Sequence, residues 1–126
     1  MIIDPNLTIL YVADTPVSER FYADLLGKRA VESSPAFAMF ALDSGHRIGL
    51  WARHTVQPTP APRAQGDGVE IVFAVGSDAE VDAAHDDWSR RGLSIAQKPT
   101  VMEFGRTFVA LDPDGHRLRV YHHAES

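Results

Sequence analysis

A seven-residue segment of this chain occurs twice. Gly45-His46-Arg47-Ile48-Gly49-Leu50-Trp51 returns 70 positions later as Gly115-His116-Arg117-Leu118-Arg119-Val120-Tyr121, and Leu42-Asp43 matches Leu111-Asp112 one residue off that register. A repeat of this length points to two copies of one supersecondary unit rather than to two unrelated halves. The patterns around it agree. In the first half an apolar run over 7–12 reads as a strand. Asp14-Thr15-Pro16 then offers a cap and a first-turn proline, and Val17, Phe21 and Leu25 recur at helical spacing until Gly27. Strands follow around 29–32, over 37–42 and over 47–53, divided by Ser34-Pro35 and Asp43-Ser44-Gly45.

The second half repeats that order. Val69–Val75 is rich in β-branched residues, and Ser77 with Glu80 forms a capping box that opens a helix with Val81, Ala84 and Trp88 on one face and Gly92 as its stop. Strands over 94–98, 107–111 and 117–122 complete it, the last two joined by the type I turn signal Asp112-Pro113-Asp114-Gly115. The chain therefore reads as two tandem β-α-β-β-β modules, 1–53 and 69–126, in the α+β class. Residues 54–68, with prolines at 58, 60 and 62, read as an extended linker.

Strand alternation divides each sheet into two faces. Ile48, Leu50, Ala52, Leu118, Val120, Ile71, Phe73, Val75, Ala38, Phe40 and Leu42 face the helices. Arg47, Gly49, Trp51, Arg53, Arg117, Arg119, Tyr121, Glu70, Phe37 and Met39 face away. An outward face holding rings and charges together is unlike a plain solvated sheet and suggests a ligand or a partner chain.

Composition narrows the partner. The chain has 126 residues, 44% of them hydrophobic, a net charge of −5 and no cysteine. Disulfides, thiolate metal sites and a cysteine nucleophile are excluded, and any metal would need His or carboxylate ligands. The acidic balance argues against nucleic acid and anionic lipid, and no run approaches the roughly 18 apolar residues of a membrane span. With no signal-peptide pattern at its start, the chain reads as cytoplasmic.

The doubled plan, Phe21-Tyr22 followed by Leu25-Leu26-Gly27, and Phe104-Gly105-Arg106-Thr107-Phe108 leading into Asp112-Pro113-Asp114-Gly115 resemble the glyoxalase/bleomycin-resistance/dioxygenase (vicinal oxygen chelate) superfamily over nearly the whole chain. The resemblance implies curved mixed sheets around a cup with the helices outside, and a homodimer. It also implies a divalent metal in the catalytic members, held on the first and last strands of each module. Those positions fall here on Leu7, Gly49, Glu70 and Arg119. A leucine and a glycine offer no side-chain ligand, an arginine does not deprotonate, and one carboxylate falls short of the roughly three ligands such a site needs.

The expectation is thus no metal and no cofactor. The remaining resemblance is to the metal-free branch, which sequesters planar antibiotics. The expected ligand set is Phe37, Met39, Trp51, Glu70, Phe104, Phe108, Arg119 and Tyr121. Trp51 has two readings, ligand stacking and dimer packing, and Tyr121 inherits the same pair. Phe104 reads as a pocket lid. Phe108 has a core reading beside the ligand one, and Trp88 reads as core. Glu70 and Arg119 are expected to pair across neighbouring strands, filling the vacated metal position. His46 and His116 occupy matching turns, which makes a His-only metal site the weaker reading. Two enzymatic alternatives stand beside the binding reading: a metal-dependent lyase or dioxygenase, and a metal-free enzyme with Glu70 as general base.

Overall fold

The computed structural model describes residues 5–60 and 69–124. The chain divides into two compact units, Met1–Arg63 and Ala64–Ser126. The first holds β1 (Leu7–Val12), α1 (Thr15–Leu26), β2 (Glu32–Ser33), β3 (Phe37–Ala41) and β4 (Arg47–Ala52). Its sheet runs β1-β4-β3-β2, with β1 parallel to β4 and the other neighbours antiparallel. The second holds β5 (Glu70–Ala74), α2 (Asp78–Arg90), β6 (Ser94–Met102), β7 (Gly105–Leu111) and β8 (Arg117–His123), in the order β5-β8-β7-β6 with the same sense of pairing. Two four-stranded mixed sheets, each with one helix, make the α+β architecture that the repeat implied.

Register fixes the equivalences. Leu7 pairs with Arg47 and Glu70 with Arg117, so the first strands stand 63 positions apart while the hairpins stand 70 apart. The difference lies in the edge strands, since β6 has nine residues and β2 has two. In the hairpin turns Leu42 N–H donates to His46 O, and Asp112 N–H donates to His116 O. Leu42 is therefore the counterpart of Asp112, and the one-residue slip read from Leu42-Asp43 is replaced by an unbroken offset of 70.

Both helices start on a side-chain cap. Val17 N–H donates to Asp14 Oδ1 at 3.1 Å, and Glu80 N–H donates to Ser77 Oγ at 3.2 Å, each satisfying an amide that the helix itself leaves unpaired. Gly27 closes α1 at φ 64, in the left-handed region that glycine enters without penalty. The buried stripe of α1 is Thr15, Ser18 and Tyr22, whereas Val17 is 40% exposed. The expected stripe was therefore out of phase: two small hydroxyl residues let the helix approach its sheet, and Tyr22 fills the space. In α2 Val81 and Trp88 are buried, as the spacing predicts.

Most of the helix-facing set is buried as alternation predicts, while Met39, Gly49, Thr107 and Val109 on the opposite register are buried as well. Leu10, Val12, Ala38, Phe40, Ile48, Leu50 and Ala52 form the core of the first unit, and Val81, Trp88, Phe108, Ala110, Leu118 and Val120 that of the second. Phe108 must leave the ligand set. Its side chain is fully buried, with its ring 5.4 Å from Trp88 and 5.4 Å from His85 in edge-on contacts, and its strand partner is the core residue Val120. Burying a ring of this size stabilises a fold by about 1.5–3 kcal/mol. The stretch expected as a linker begins with a 3₁₀ turn over Arg53–Thr55, and Val56 is buried; residues 61–68 lie outside the described residues.

Candidate functional site

On the outward face of the first unit, Leu7, Ile9 and Tyr11 of β1 lie beside Gly49 and Trp51 of β4, which in turn face Met39 and Phe37 of β3. Trp51 is the hub. Tyr11 and Phe37 each meet it edge-on with ring centroids at 6.5 Å, and the Arg53 guanidinium lies 5.9 Å above the Tyr11 ring. Gly49 gives the cluster its shape: a β-carbon at that position would stand 3.0 Å from Phe37 Cζ and 3.3 Å from Ile9 Cγ1. The Phe37 ring thus occupies the space that a side chain at position 49 would need. Met39 is buried, while Phe37 and Trp51 are half-buried. Leu7, Ile9 and Tyr11 remain more than a third exposed. This face offers ring edges and aliphatic surface to a flat guest, the geometry in which aromatic pairs add about 0.5–1.5 kcal/mol beyond burial.

The outward face of the second unit is organised by Arg119. Its Nε donates to Glu70 Oε1 at 2.9 Å and its NH2 to Glu70 Oε2 at 3.0 Å, the two-point grip that suits guanidinium to carboxylate. NH1 donates to Thr107 Oγ1 at 3.2 Å and to Gln97 Oε1 at 3.5 Å. The hydrogen bonds from Arg119 hold the Glu70 carboxyl below the ordinary glutamate range against a smaller opposing effect of burial. Above the pair sits Phe104, with its ring 5.7 Å from the Arg119 guanidinium and 6.0 Å from Tyr121. Phe104 lies in the β6–β7 turn and is 37% exposed.

Of the expected ligand residues, Phe37, Met39 and Trp51 gather on one face and Glu70, Phe104, Arg119 and Tyr121 on the other, each within its own unit; the expected Glu70–Arg119 pair is formed. Sequence reasoning missed Tyr11, Thr107 and Gln97. The signal for Tyr11 was available, since Leu7, Ile9 and Tyr11 alternate with Thr8, Leu10 and Val12 and pair in register with Arg47, Gly49 and Trp51. Gln97 was hidden by register shifts between β6 and β7.

A family model for the Glyoxalase/Bleomycin resistance protein/Dioxygenase superfamily matches residues 5–120. The chain belongs to this superfamily. The phenazine antibiotic resistance protein EhpR of Enterobacter agglomerans is 30% identical to it over 121 residues, 94% of this chain and 91% of that protein. The solution structure of protein ATC0852 from Agrobacterium tumefaciens is 48% identical, covers 98% of this chain and all of its own, and superimposes with a TM-score of 0.89. A glyoxalase/bleomycin resistance protein/dioxygenase from Nocardioides shares the fold at 23% identity and a TM-score of 0.84, over all of this chain and 88% of its own.

The positions that the superfamily resemblance assigns to a metal can now be tested against their surroundings. Leu7 is an exposed aliphatic side chain, and position 49 is roofed by Phe37. Both oxygens of Glu70 are held by Arg119. These residues do not fit a divalent ion. Elsewhere Asp112, Asp114 and His116 place ligand atoms within 4.8 Å of one another, all buried. Asp112 is already engaged there: its Oδ1 accepts from the backbone N–H groups of Asp114 and His116, and its Oδ2 lies 2.7 Å from His116 Nδ1. That arrangement closes the β7–β8 hairpin, as the turn signal implied.

Proposed function

We propose that this chain binds a planar, ring-containing small molecule without a metal and confers resistance by sequestering it, acting as a cytoplasmic homodimer. The observation that carries the reading is what stands at the superfamily's metal positions. One is roofed by the Phe37 ring and another is tied into a closed Glu70–Arg119 pair, each beside an aromatic cluster: Tyr11, Trp51 and Phe37 in one unit, Phe104 and Tyr121 in the other. The likeness to EhpR, itself a phenazine antibiotic resistance protein, supports the same direction. Flat rings gain from stacking and from burial at roughly 25 cal/mol per Å², and sequestration needs no reaction.

A Glu70→Gln-sensitive general-base mechanism is less well supported. A carboxylate held below its usual range by a two-point arginine contact is a weak proton acceptor near pH 7. The test is a titration of phenazine, quinoline and bleomycin-class compounds followed by tryptophan fluorescence, using Trp88→Phe to isolate Trp51. Saturable quenching of Trp51 is the expected result, and calorimetry, which needs no tryptophan, should show binding weakened about tenfold or more in Trp51→Ala. No binding across the panel overturns the reading, and a stoichiometric divalent ion in protein purified without chelator favours the lyase or dioxygenase alternative. Sedimentation equilibrium tests the dimer.

A further inference from the structure

The second unit's outward face has a charge imbalance. Its four strands contain a single carboxylate, Glu70, and both oxygens of that carboxylate are used by Arg119. Arg117 lies on the same face two residues earlier on β8, directly across from Glu70 in the strand register. Its guanidinium comes no nearer than 3.9 Å to Glu70 Oε2, beyond hydrogen-bond distance, and its side chain is 58% exposed. Two arginines therefore share one acid on a chain whose net charge is −5. Like charges on neighbouring outward positions of one strand repel, and a bound anion removes that repulsion. The same strand carries the half-buried Tyr121, whose ring meets the exposed ring of Phe104, so the Arg117 guanidinium, which only shares Glu70 at a distance, and this ring pair belong to one surface.

Resting on the binding function proposed above, we infer that the ligand is an aromatic acid, with its ring against Phe104 and Tyr121 and its carboxylate received by Arg117. Arg119 cannot take that role without giving up Glu70, whereas Arg117 offers a planar fork with no competing acceptor at hydrogen-bond distance among the described residues. Arg117 is then the specificity residue, and Arg119 is the residue that holds Glu70 away from it and supports Phe104.

Phenazine-1-carboxylate, its neutral isostere phenazine-1-carboxamide and unsubstituted phenazine form the probe set, each titrated into the full chain at low ionic strength by calorimetry. Wild-type protein is expected to prefer the carboxylate over the carboxamide by about tenfold, the scale of one charge-assisted hydrogen bond. Arg117→Gln should bring the two within about twofold while leaving carboxamide affinity in place. Arg90→Gln, the same charge change on an exposed position of α2, should leave the preference intact. Equal affinity for carboxylate and carboxamide in wild type, or a preference that survives Arg117→Gln or falls equally in Arg90→Gln, overturns this inference while ring binding stands. If none of the three phenazines binds, both this inference and the function it rests on fail for this class.

Discussion

The two outward faces use one scaffold to solve one problem in different ways. In the first unit the centre of the face is a glycine with a neighbour's ring laid across it; in the second, the equivalent position is an arginine that brings its own counter-ion from the adjacent strand. Leu7 and Glu70 differ in the same coordinated fashion, as do Phe37 and Thr107, the strand partners of Trp51 and Tyr121. A residue at the centre of a sheet face therefore changes together with its cross-strand neighbours. At the centre of the face charge comes with a complementary group from the next strand, as Arg119 does with Glu70, whereas at its exposed margin Arg47 stands between Leu7 and Ala41.

The comparison breaks most readily in the packing. Phe108→Ala should destabilise the protein by about 3–5 kcal/mol and lower its urea midpoint accordingly, whereas Phe37→Ala on the outward face should cost only about 1 kcal/mol. Equal losses would mean that the two faces are not distinct. Gly105→Ala comes next. This residue sits at φ 137, and an added β-carbon would collide with the backbone of His122 and Ala124. Its loss should be about 3 kcal/mol, against no more than about 1 kcal/mol for Gly49→Ala, whose neighbours are side chains that can shift.

The helix caps test symmetry instead of difference: Asp14→Ala and Ser77→Ala should each cost about 1 kcal/mol in thermal unfolding. The smallest effect belongs to the Glu70–Arg119 pair, which is partly exposed and worth no more than about 1 kcal/mol near neutrality. Because the folded state lowers the Glu70 pKa, its contribution is complete above the ordinary glutamate range and disappears as the pH falls through the lowered value. The stability gap between wild type and Glu70→Gln should accordingly close on acidification, read from unfolding midpoints across an acid series.

Much of this was legible in the chain itself because period-2 alternation and the internal repeat record the backbone directly. The face assignments of Ile48, Leu50, Trp51, Leu118 and Tyr121 follow from those two patterns alone. Phe108 was left between a ligand and a core reading although the repeat held the answer, since the offset of 70 pairs it with Ala38, already assigned to the helix side. The stripe of α1 was misread because hydrophobicity favoured Val17 over Ser18, whereas close approach to the sheet favours the smaller hydroxyl residue. The contacts of Gln97 could not be read at all: the irregular register of β6 against β7 breaks the alternation on which such a reading depends.

That same strand explains how two copies of a unit can drift in length and still keep a common frame. β6 and β2 lie at the margins of their sheets, where only one neighbour constrains them, so seven residues could be gained there without disturbing any other pairing. An insertion within β8 would throw both β5 and β7 out of step and turn every ring and charge on that surface to the wrong side. Growth at the border is tolerated; the interior strands keep time for the whole sheet.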